Sequence, residues 1–244
     1  MSISERQKQI LNILNDRTFI TVQELSGLTF TSESSIRRDL TYLQNNGLVK
    51  RLHGGVSTVP PMVRVASFYD RTRKNVKEKR LIAQKAAMLL KDGQTVLLDS
   101  SSTVTFLLPY IAKRQNISVF TNNLTTALQA IELGIQTHCI GGEAVNGSTA
   151  LYGPETFAAL VGITVDVLFF SSQSLDTQGD ISDTTAEENY VRKMMLDSAK
   201  TTVFLCDCEK FNTRSTYKLC SLDDIDYAVF DVPYPELSTD CKML

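Results

Sequence analysis

Along the first sixty residues apolar positions recur at helical spacing, whereas beyond residue 90 they gather into short runs separated by polar and helix-periodic stretches. Ile10, Leu11 and Leu14 follow Ser4 and Gln7, a capping-box pair, and predict a helix over 5–15. Thr18–Ile20 is a short β-prone run. Thr21 with Glu24 forms a second capping box ahead of Val22, Leu25 and Leu28, predicting about two turns of helix that end near Gly27 or Leu28. Ser32 is the expected N-cap of a third helix with Glu33 in its first turn, and Ile36, Leu40 and Leu43 at i, i+4 and i+7 form its buried stripe. Asn45-Asn46-Gly47 closes that helix. Leu48 to Val56 then reads as a strand, a glycine turn and a returning strand.

In the remainder, strand candidates at 95–98, 117–120, 137–140, 165–170, 201–206 and 227–230 are interleaved with helical periodicity at 77–90, 103–112, 124–133 and 185–199. Such alternation predicts an α/β domain with a doubly wound, mostly parallel sheet covered on both faces. The expected organisation is a small N-terminal winged helix-turn-helix domain over 1–57, a linker over 58–76, and a larger domain over 77–235. The linker carries Pro60-Pro61 and the basic run Arg71-Thr72-Arg73-Lys74.

The composition of the 244 residues, 43% hydrophobic and 21% charged, excludes collagen-like, mucin-like and disordered chains. No run approaches the roughly 18 uninterrupted apolar residues of a membrane span, and the polar start MSISERQKQI lacks the apolar core of a signal peptide. A cytoplasmic location is expected. Five cysteines without regular spacing suit a reducing compartment, and Cys206 and Cys208 have no second pair to complete a thiolate metal site, so they are read as packing residues and no metal or cofactor is expected.

The net charge of −2 hides an asymmetry. Residues 1–80 carry 14 Lys+Arg against 7 Asp+Glu, and the remainder 11 against 20. A basic end on an acidic body points to a polyanionic partner for the first domain. There Ser34, Ser35, Arg37, Arg38 and Thr41 face away from the buried stripe of the third helix. An α-helix fits the major groove of B-DNA, Arg bonds a guanine edge bidentately, and hydroxyls reach bases or phosphates. The wing would lay Lys50, Arg51 and His53 along the backbone. Ser32 completes the candidate DNA-binding set.

The stretch Ser32-Glu33-Ser34-Ser35-Ile36-Arg37-Arg38-Asp39-Leu40, followed by Leu43, Gly47 and Arg51-Leu52-His53-Gly54-Gly55, resembles the signature of the DeoR family of bacterial transcription regulators, without gaps. It departs at Thr31, where a valine or similar residue is usual, and at Gly27, where a helix-former is common.

The larger domain offers a second candidate site. Its strands run at their carboxyl ends into Asp99-Ser100-Ser101-Ser102-Thr103, Thr121-Asn122-Asn123, Gly141-Gly142-Glu143, Ser171-Ser172 and Asp207-Cys208-Glu209-Lys210. Ligands of open α/β sheets bind outside those ends, and helix N-termini lined with hydroxyls suit phosphate. Taken singly, the hydroxyls read as helix caps, the glycines as a turn and Lys210 as a surface lysine.

The resemblance continues through Asp99–Thr103, Thr121-Asn122-Asn123, Gly141-Gly142, Gly153-Pro154, Asp166, Glu188 and Asp207–Phe211. It implies a sensor domain similar in fold to ribose 5-phosphate isomerase, binding a phosphorylated sugar through Asp99, Ser101, Ser102, Thr103, Thr121, Asn122, Asn123, Gly141, Gly142, Glu188, Asp207 and Lys210. Ser101, Ser171 and Ser174 stand where the family usually has glycine, and Glu209 where serine is usual. The resulting expectation is a repressor of a carbohydrate operon that binds operator DNA as a homodimer or homotetramer and has no catalytic residues. The competing reading is a sugar-phosphate isomerase using Asp99, Glu188, Asp207 and Lys210. A basic helix-turn-helix in front, and the absence of a dinucleotide fingerprint, P-loop or nucleophile elbow, weigh against it.

Overall fold

The computed structural model describes residues 4–15, 19–45, 48–52, 54–58, 68–144, 148–237 and 239–244. The chain divides into two units, Met1–Arg64 and Val65–Leu244.

In the first unit, helices α1 (Glu5–Asn15), α2 (Val22–Leu28) and α3 (Glu33–Asn45) accompany strands β1 (Phe19–Thr21), β2 (Val49–Leu52) and β3 (Gly55–Thr58). Both capping boxes form. The Gln7 amide donates to Ser4 Oγ at 3.3 Å while Ser4 N–H donates to Gln7 Oε1 at 3.0 Å, and Thr21 with Glu24 repeats the pattern at the start of α2. Ile10, Leu14, Leu25, Ile36, Leu40 and Leu43 meet Ile20, Val49 and Val56 of the sheet in one buried core. The antiparallel order β1-β3-β2 makes β2 and β3 a wing, turned by Gly54 at φ +81°. Asp39, on the inner side of α3, is buried and takes hydrogen bonds from Arg6 and Gln7, which ties α1 to α3.

The second unit begins its described part with α4 (Phe68–Arg73), a helix inside the stretch expected to be linker, followed by α5 (Val76–Ala86). Then come β4 (Thr95–Leu98), α6 (Leu108–Ile111), β5 (Ser118–Thr121), α7 (Leu124–Glu132), β6 (Gln136–Cys139), β7 (Glu143–Ala144), β8 (Leu151–Tyr152) and α8 (Pro154–Val161). The remainder is β9 (Val167–Phe170), β10 (Ser174–Leu175), β11 (Asp180–Asp183), α9 (Ala186–Asp197), β12 (Thr202–Cys206), β13 (Tyr217–Ser221), β14 (Tyr227–Phe230) and β15 (Lys242–Met243). The helix expected over 103–112 is a 3-10 turn, Val104–Leu107, leading into α6, because Pro109 has no N–H to bond back and fits only in a first helical turn.

Seven parallel strands form the main sheet in the order β15-β14-β12-β9-β4-β5-β6. Alternate residues face alternate layers. Val96, Leu98, Val167, Phe169, Val203 and Leu205 pack with α5 residues Ile82, Ala83 and Ala86, while Leu97, Leu168, Phe170, Phe204 and Cys206 pack with Val191 and Met195 of α9. The central strands are thus buried on both faces, which is why β9 reads as an unbroken apolar run, whereas the edge strand β6 is largely exposed. From β4 the chain winds outward to β5 and β6, then returns to the other side of β4 through β9 and β12. The reversal lies between β4 and β9, the position at which an open α/β sheet forms a crevice. A small antiparallel sheet, β10-β11-β13, and the β7–β8 hairpin complete the unit.

Candidate functional site

Two surfaces combine functional chemistry, one in each unit. On α3 the apolar stripe is buried, so Ser32, Ser34, Arg37, Arg38 and Thr41 are exposed and Ser35 is half-buried. Arg37 pairs with Glu33 at 3.3 Å, Arg38 donates to Ser35 Oγ at 3.4 Å and to the Ser34 carbonyl at 3.5 Å, and Ser32 Oγ lies 3.1 Å from both Ser34 Oγ and Ser35 Oγ. These contacts are local and solvent-facing. Arg51 of β2 reaches Thr41 Oγ1 at 3.3 Å, joining the wing to the same face, and Lys50 beside it is exposed. His53 lies outside the described residues.

In the second unit a cavity of about 170 Å³ opens at the β4–β9 crevice. Its wall comprises Ser101, Ser102 and Thr103 after β4, Ser171, Ser172 and Gln173 after β9, Asp207, Glu209 and Lys210 after β12, Asp183 of β11, Arg192 of α9, Lys79 of α5, and Arg71, Lys74 and Asn75 before α5. The volume is below the ~300–1,000 Å³ typical of drug-sized ligands, and every lining residue is polar or charged, so a small polar ligand is the match.

Hydrogen bonding separates framework from free groups. Asp99 is buried, accepts from the Ser101 and Ser171 amides at 3.0 and 3.4 Å, and receives Arg192 Nε at 2.8 Å. Arg192 also bonds Asp183 at 2.6 Å and faces Glu188 at 3.6 Å. Burial opposes the charge of Arg192, yet Asp183, Asp99 and Glu188 together hold its pKa above the ordinary value. Burial pushes the Glu188 carboxyl up, against the pull of Arg192. Lys210 donates to Ser171 Oγ at 2.9 Å and faces Asp207 at 3.4 Å, and Lys74 pairs with Glu209.

Lys79 differs from these. It is 4% exposed, donates to Ser102 Oγ at 3.0 Å and to the Arg71 carbonyl, and takes part in no ion pair among the described residues. Burial first, and then the neighbouring cations Lys210, Arg71 and Lys74, lower its pKa to about 8, with Asp207 opposing. Among the described residues, Ser101 Oγ, Thr103 Oγ1 and Arg71 Nε are buried without a hydrogen-bond partner, as is Asp207 Oδ2, which faces Lys210. Unsatisfied donors and an unpaired ammonium around one cavity are costly unless something fills it. An anion would satisfy all of them.

Of the residues expected at the rim, Ser101, Ser102, Thr103, Asp207 and Lys210 line the cavity, and Asp99 and Glu188 stand behind it through Arg192. The others have structural partners. Asn123 caps α7, accepting the Thr126 amide at 3.0 Å, and Thr121 Oγ1 accepts the Asn123 amide. Asn122 donates to the Leu151 carbonyl at 2.9 Å, and its Oδ1 is buried with no partner among the described residues. The Gly141 carbonyl accepts from Thr156 Oγ1, and a Cβ on Gly142, at φ +144°, would sit 2.2 Å from that oxygen and 2.4 Å from the Tyr152 carbonyl. Gly142 is therefore fixed by close packing. Ser174 Oγ contacts Ser215 Oγ away from the cavity wall.

Sequence reasoning missed Arg71, Lys74, Asn75, Lys79, Gln173, Asp183 and Arg192. A signal existed for two. Lys79 falls in register with Ile82, Ala83 and Ala86, and Arg192 with Glu188, Val191 and Met195, so each is a charge on the inward face of its helix. Cys206 is buried in the sheet and Cys208 exposed, and no metal-holding group of His, Cys, Asp or Glu occurs among the described residues. Nor is any described helix long and apolar enough to cross a membrane.

Comparison with known proteins places names beside this geometry. The DeoR-like helix-turn-helix domain matches residues 6–61, and the DeoR C terminal sensor domain matches residues 74–232. The HTH-type transcriptional regulator GolR of Listeria innocua is 30% identical over 228 residues, 93% of this chain and 90% of that protein. The lactose phosphotransferase system repressor of Staphylococcus aureus is 27% identical over 235 residues, 95% of this chain and 93% of that protein. Among solved structures, a D-ribose-5-phosphate isomerase in complex with phospho-erythronic acid aligns with 56% of this chain and 54% of its own at 16% identity and a TM-score of 0.42, a distant likeness.

Proposed function

Because the chain belongs to the DeoR family of transcriptional regulators, we propose that it represses a carbohydrate operon, with a phosphorylated sugar in the β4–β9 cavity controlling its grip on operator DNA. The observation that carries the effector reading is that Lys79 and Arg71, which form no salt bridge among the described residues, line one cavity with the hydroxyls of Ser101 and Thr103, which have no hydrogen-bond partner among those residues. A phosphate dianion needs several donors and a cation, and charge-assisted bonds are the strong ones. Its sugar hydroxyls would turn toward Asp183, Ser172 and Gln173. Lys210 and Asp207 would close the opposite wall, with Asp99 and Glu188 acting through Arg192. Thr121, Asn122, Asn123, Gly141 and Gly142 would shape the neighbouring turns.

On DNA, the reading assigns base contacts to Arg37, Arg38, Ser34 and Ser35 in the first turns of α3. Ser32, Thr41, Lys50, Arg51 and His53 would meet the backbone, positioning without reading sequence. A two-fold homo-oligomer, dimer or tetramer, in the cytoplasm would match paired half-sites. An isomerase role is disfavoured by the carboxylates themselves. Asp99 is hydrogen-bonded to Arg192, and Glu188 and Asp207 each face a cation, Arg192 and Lys210, which favours their acting as fixed counter-charges over a proton-transferring pair.

A thermal-shift screen of sugar phosphates against the matching unphosphorylated sugars tests this reading, since a ligand selective for the folded state raises the melting temperature. Stabilisation by a phosphorylated sugar alone, with altered operator affinity in a gel shift, is expected. Stabilisation by free sugars alone would overturn the anion assignment.

A further inference from the structure

Part of the cavity wall belongs to the segment that, in sequence, leads in from the DNA-binding unit. Within 68–75 only Phe68 is buried. Among the described residues, three polar ties attach this segment to residues that themselves line the cavity. Lys79 donates both to the Arg71 carbonyl and to Ser102 Oγ, Asn75 Nδ2 donates to Asp207 Oδ1 at 2.9 Å, and Lys74 pairs with Glu209. Asn75 adopts a left-handed conformation at φ +53°, so the hinge between α4 and α5 is sharply set. Two donors remain unspent. An ammonium has three N–H groups, of which Lys79 uses two, and the buried Nε of Arg71 bonds nothing among the described residues.

We propose that an anionic ligand engages Arg71 and Lys79 together and thereby fixes α4 against the sheet, making residues 68–79 the element through which the cavity acts on DNA binding. This rests on the anion reading above and adds its route of regulation. A phosphate bridging the Arg71 guanidinium, the third Lys79 proton and the hydroxyls of Ser101 and Thr103 supplies the missing partners at one point. Because Lys79 also holds the Arg71 carbonyl, the ligand fastens both the backbone and the side chain of α4. Ligand and DNA are coupled only to the extent that each prefers the fixed or the released segment, and the coupling is reciprocal. A ligand that changes operator affinity by some factor therefore has its own affinity changed by the same factor when operator is present.

The experiment uses the full-length protein, inorganic phosphate as the probe, and hydrogen exchange followed over peptides covering 68–79, with melting temperature measured in parallel. In the wild type, phosphate should raise the melting temperature and slow exchange across 68–79. Arg71→Gln, a change at a half-exposed side chain, should bind phosphate about 10- to 100-fold more weakly, the loss of one charge-assisted hydrogen bond. It should also lose most of the slowing when phosphate is raised to restore occupancy. Lys200→Gln, which breaks a solvent-facing ion pair with Asp166 outside the cavity wall, should keep the phosphate-dependent slowing. If phosphate stabilises the wild type but leaves exchange over 68–79 unchanged, or if Arg71→Gln at matched occupancy is slowed as fully as the wild type, the connector is not the route and the inference falls while the anion site stands. If phosphate neither stabilises the wild type nor alters exchange, the anion reading falls and takes the inference with it.

Discussion

Both candidate sites are rich in cations, but the cations are held in opposite ways. On α3, Arg37 contacts Glu33, and Arg38 contacts Ser34 and Ser35, all within one turn, and the Arg37–Glu33 pair is about half exposed on each side. Such pairs are worth little, so exchanging them for DNA costs little. In the cavity, Arg192 is 2% exposed and faces three carboxylates. It cannot be withdrawn for a ligand without stranding them. A count of positive charge would rank the cavity as highly as the helix. Subtracting the ion-paired ones leaves, among the described residues of the cavity wall, Lys79 and Arg71 as the cations in no salt bridge.

The largest expected effect tests that division at its committed end. Arg192→Met leaves Asp99, Asp183 and Glu188 buried without their cation, and breaking a buried pair costs about 3–5 kcal/mol, measurable as a drop in urea midpoint. The loss should depend on pH. The folded-state pKa of Glu188 is raised by burial, so protonation favours the folded form. The associated stability is present at acid pH and is lost as pH rises through that folded value. The variant, with less positive charge beside Glu188, should recover part of its deficit as pH falls into the carboxylate range. A deficit that is small and flat with pH would mean that Arg192 is not what organises the crevice.

At the other region, Arg37→Ala with Arg38→Ala should cost about 1–3 kcal/mol for each bidentate bond to a base edge that the truncation removes, and should relax preference at specific operator positions. Fluorescence anisotropy with single-base operator variants reads both effects. A uniform weakening over all sequences would turn these side chains into backbone contacts and erase the distinction between helix and wing.

The two regions also differed in how far the sequence disclosed them. Capping boxes at Ser4–Gln7 and Thr21–Glu24, and the Ile36–Leu40–Leu43 stripe, are local signals, so α1, α2 and α3 lie where periodicity predicts them. The parallel strands were readable for a similar reason, as short apolar runs. The small sheet was not, because β10 has two residues and β11 reads Asp-Ile-Ser-Asp, whose outer polar positions find partners only after the chain folds. The cavity was half legible. Serine, threonine and Lys210 at strand ends announce a rim, but Arg71 lies in a stretch that looks like linker. Arg192 gains its role from Asp99, 93 positions earlier, and no local pattern conveys such a pairing.

A smaller effect concerns Lys79 and the pH dependence of ligand binding. Its pKa of about 8 without ligand reflects burial and the facing cations Lys210, Arg71 and Lys74, opposed by Asp207. An anion binds the protonated form, so phosphate affinity should be steady just below pH 8. It should fall above that value by up to about tenfold per unit, one proton's worth of linkage. Toward pH 6 the second ionisation of phosphate limits binding from the other side. Lys79→Gln should bind weakly and lose the alkaline limb. Calorimetry across pH 6–10 provides the comparison, and an alkaline limb that survives in Lys79→Gln would assign the site's free cation elsewhere.

The smallest effect belongs to the wing. Lys50 is exposed, and a backbone contact from it releases counterions without reading bases, so Lys50→Gln should flatten the slope of log K against log salt by about 0.9 and leave operator preference unchanged. Arg51 is placed differently, because its guanidinium donates to Thr41 on the exposed face of α3. Arg51→Gln should produce a similar change in slope if the side chain leaves Thr41 for a phosphate on binding. If it stays on Thr41, the slope should hold while preference shifts, since the contact then orients the reading helix. Salt titrations of both variants on specific and scrambled DNA separate these cases. An unchanged slope and preference in both would remove the wing from the interface and leave α3 to bind alone.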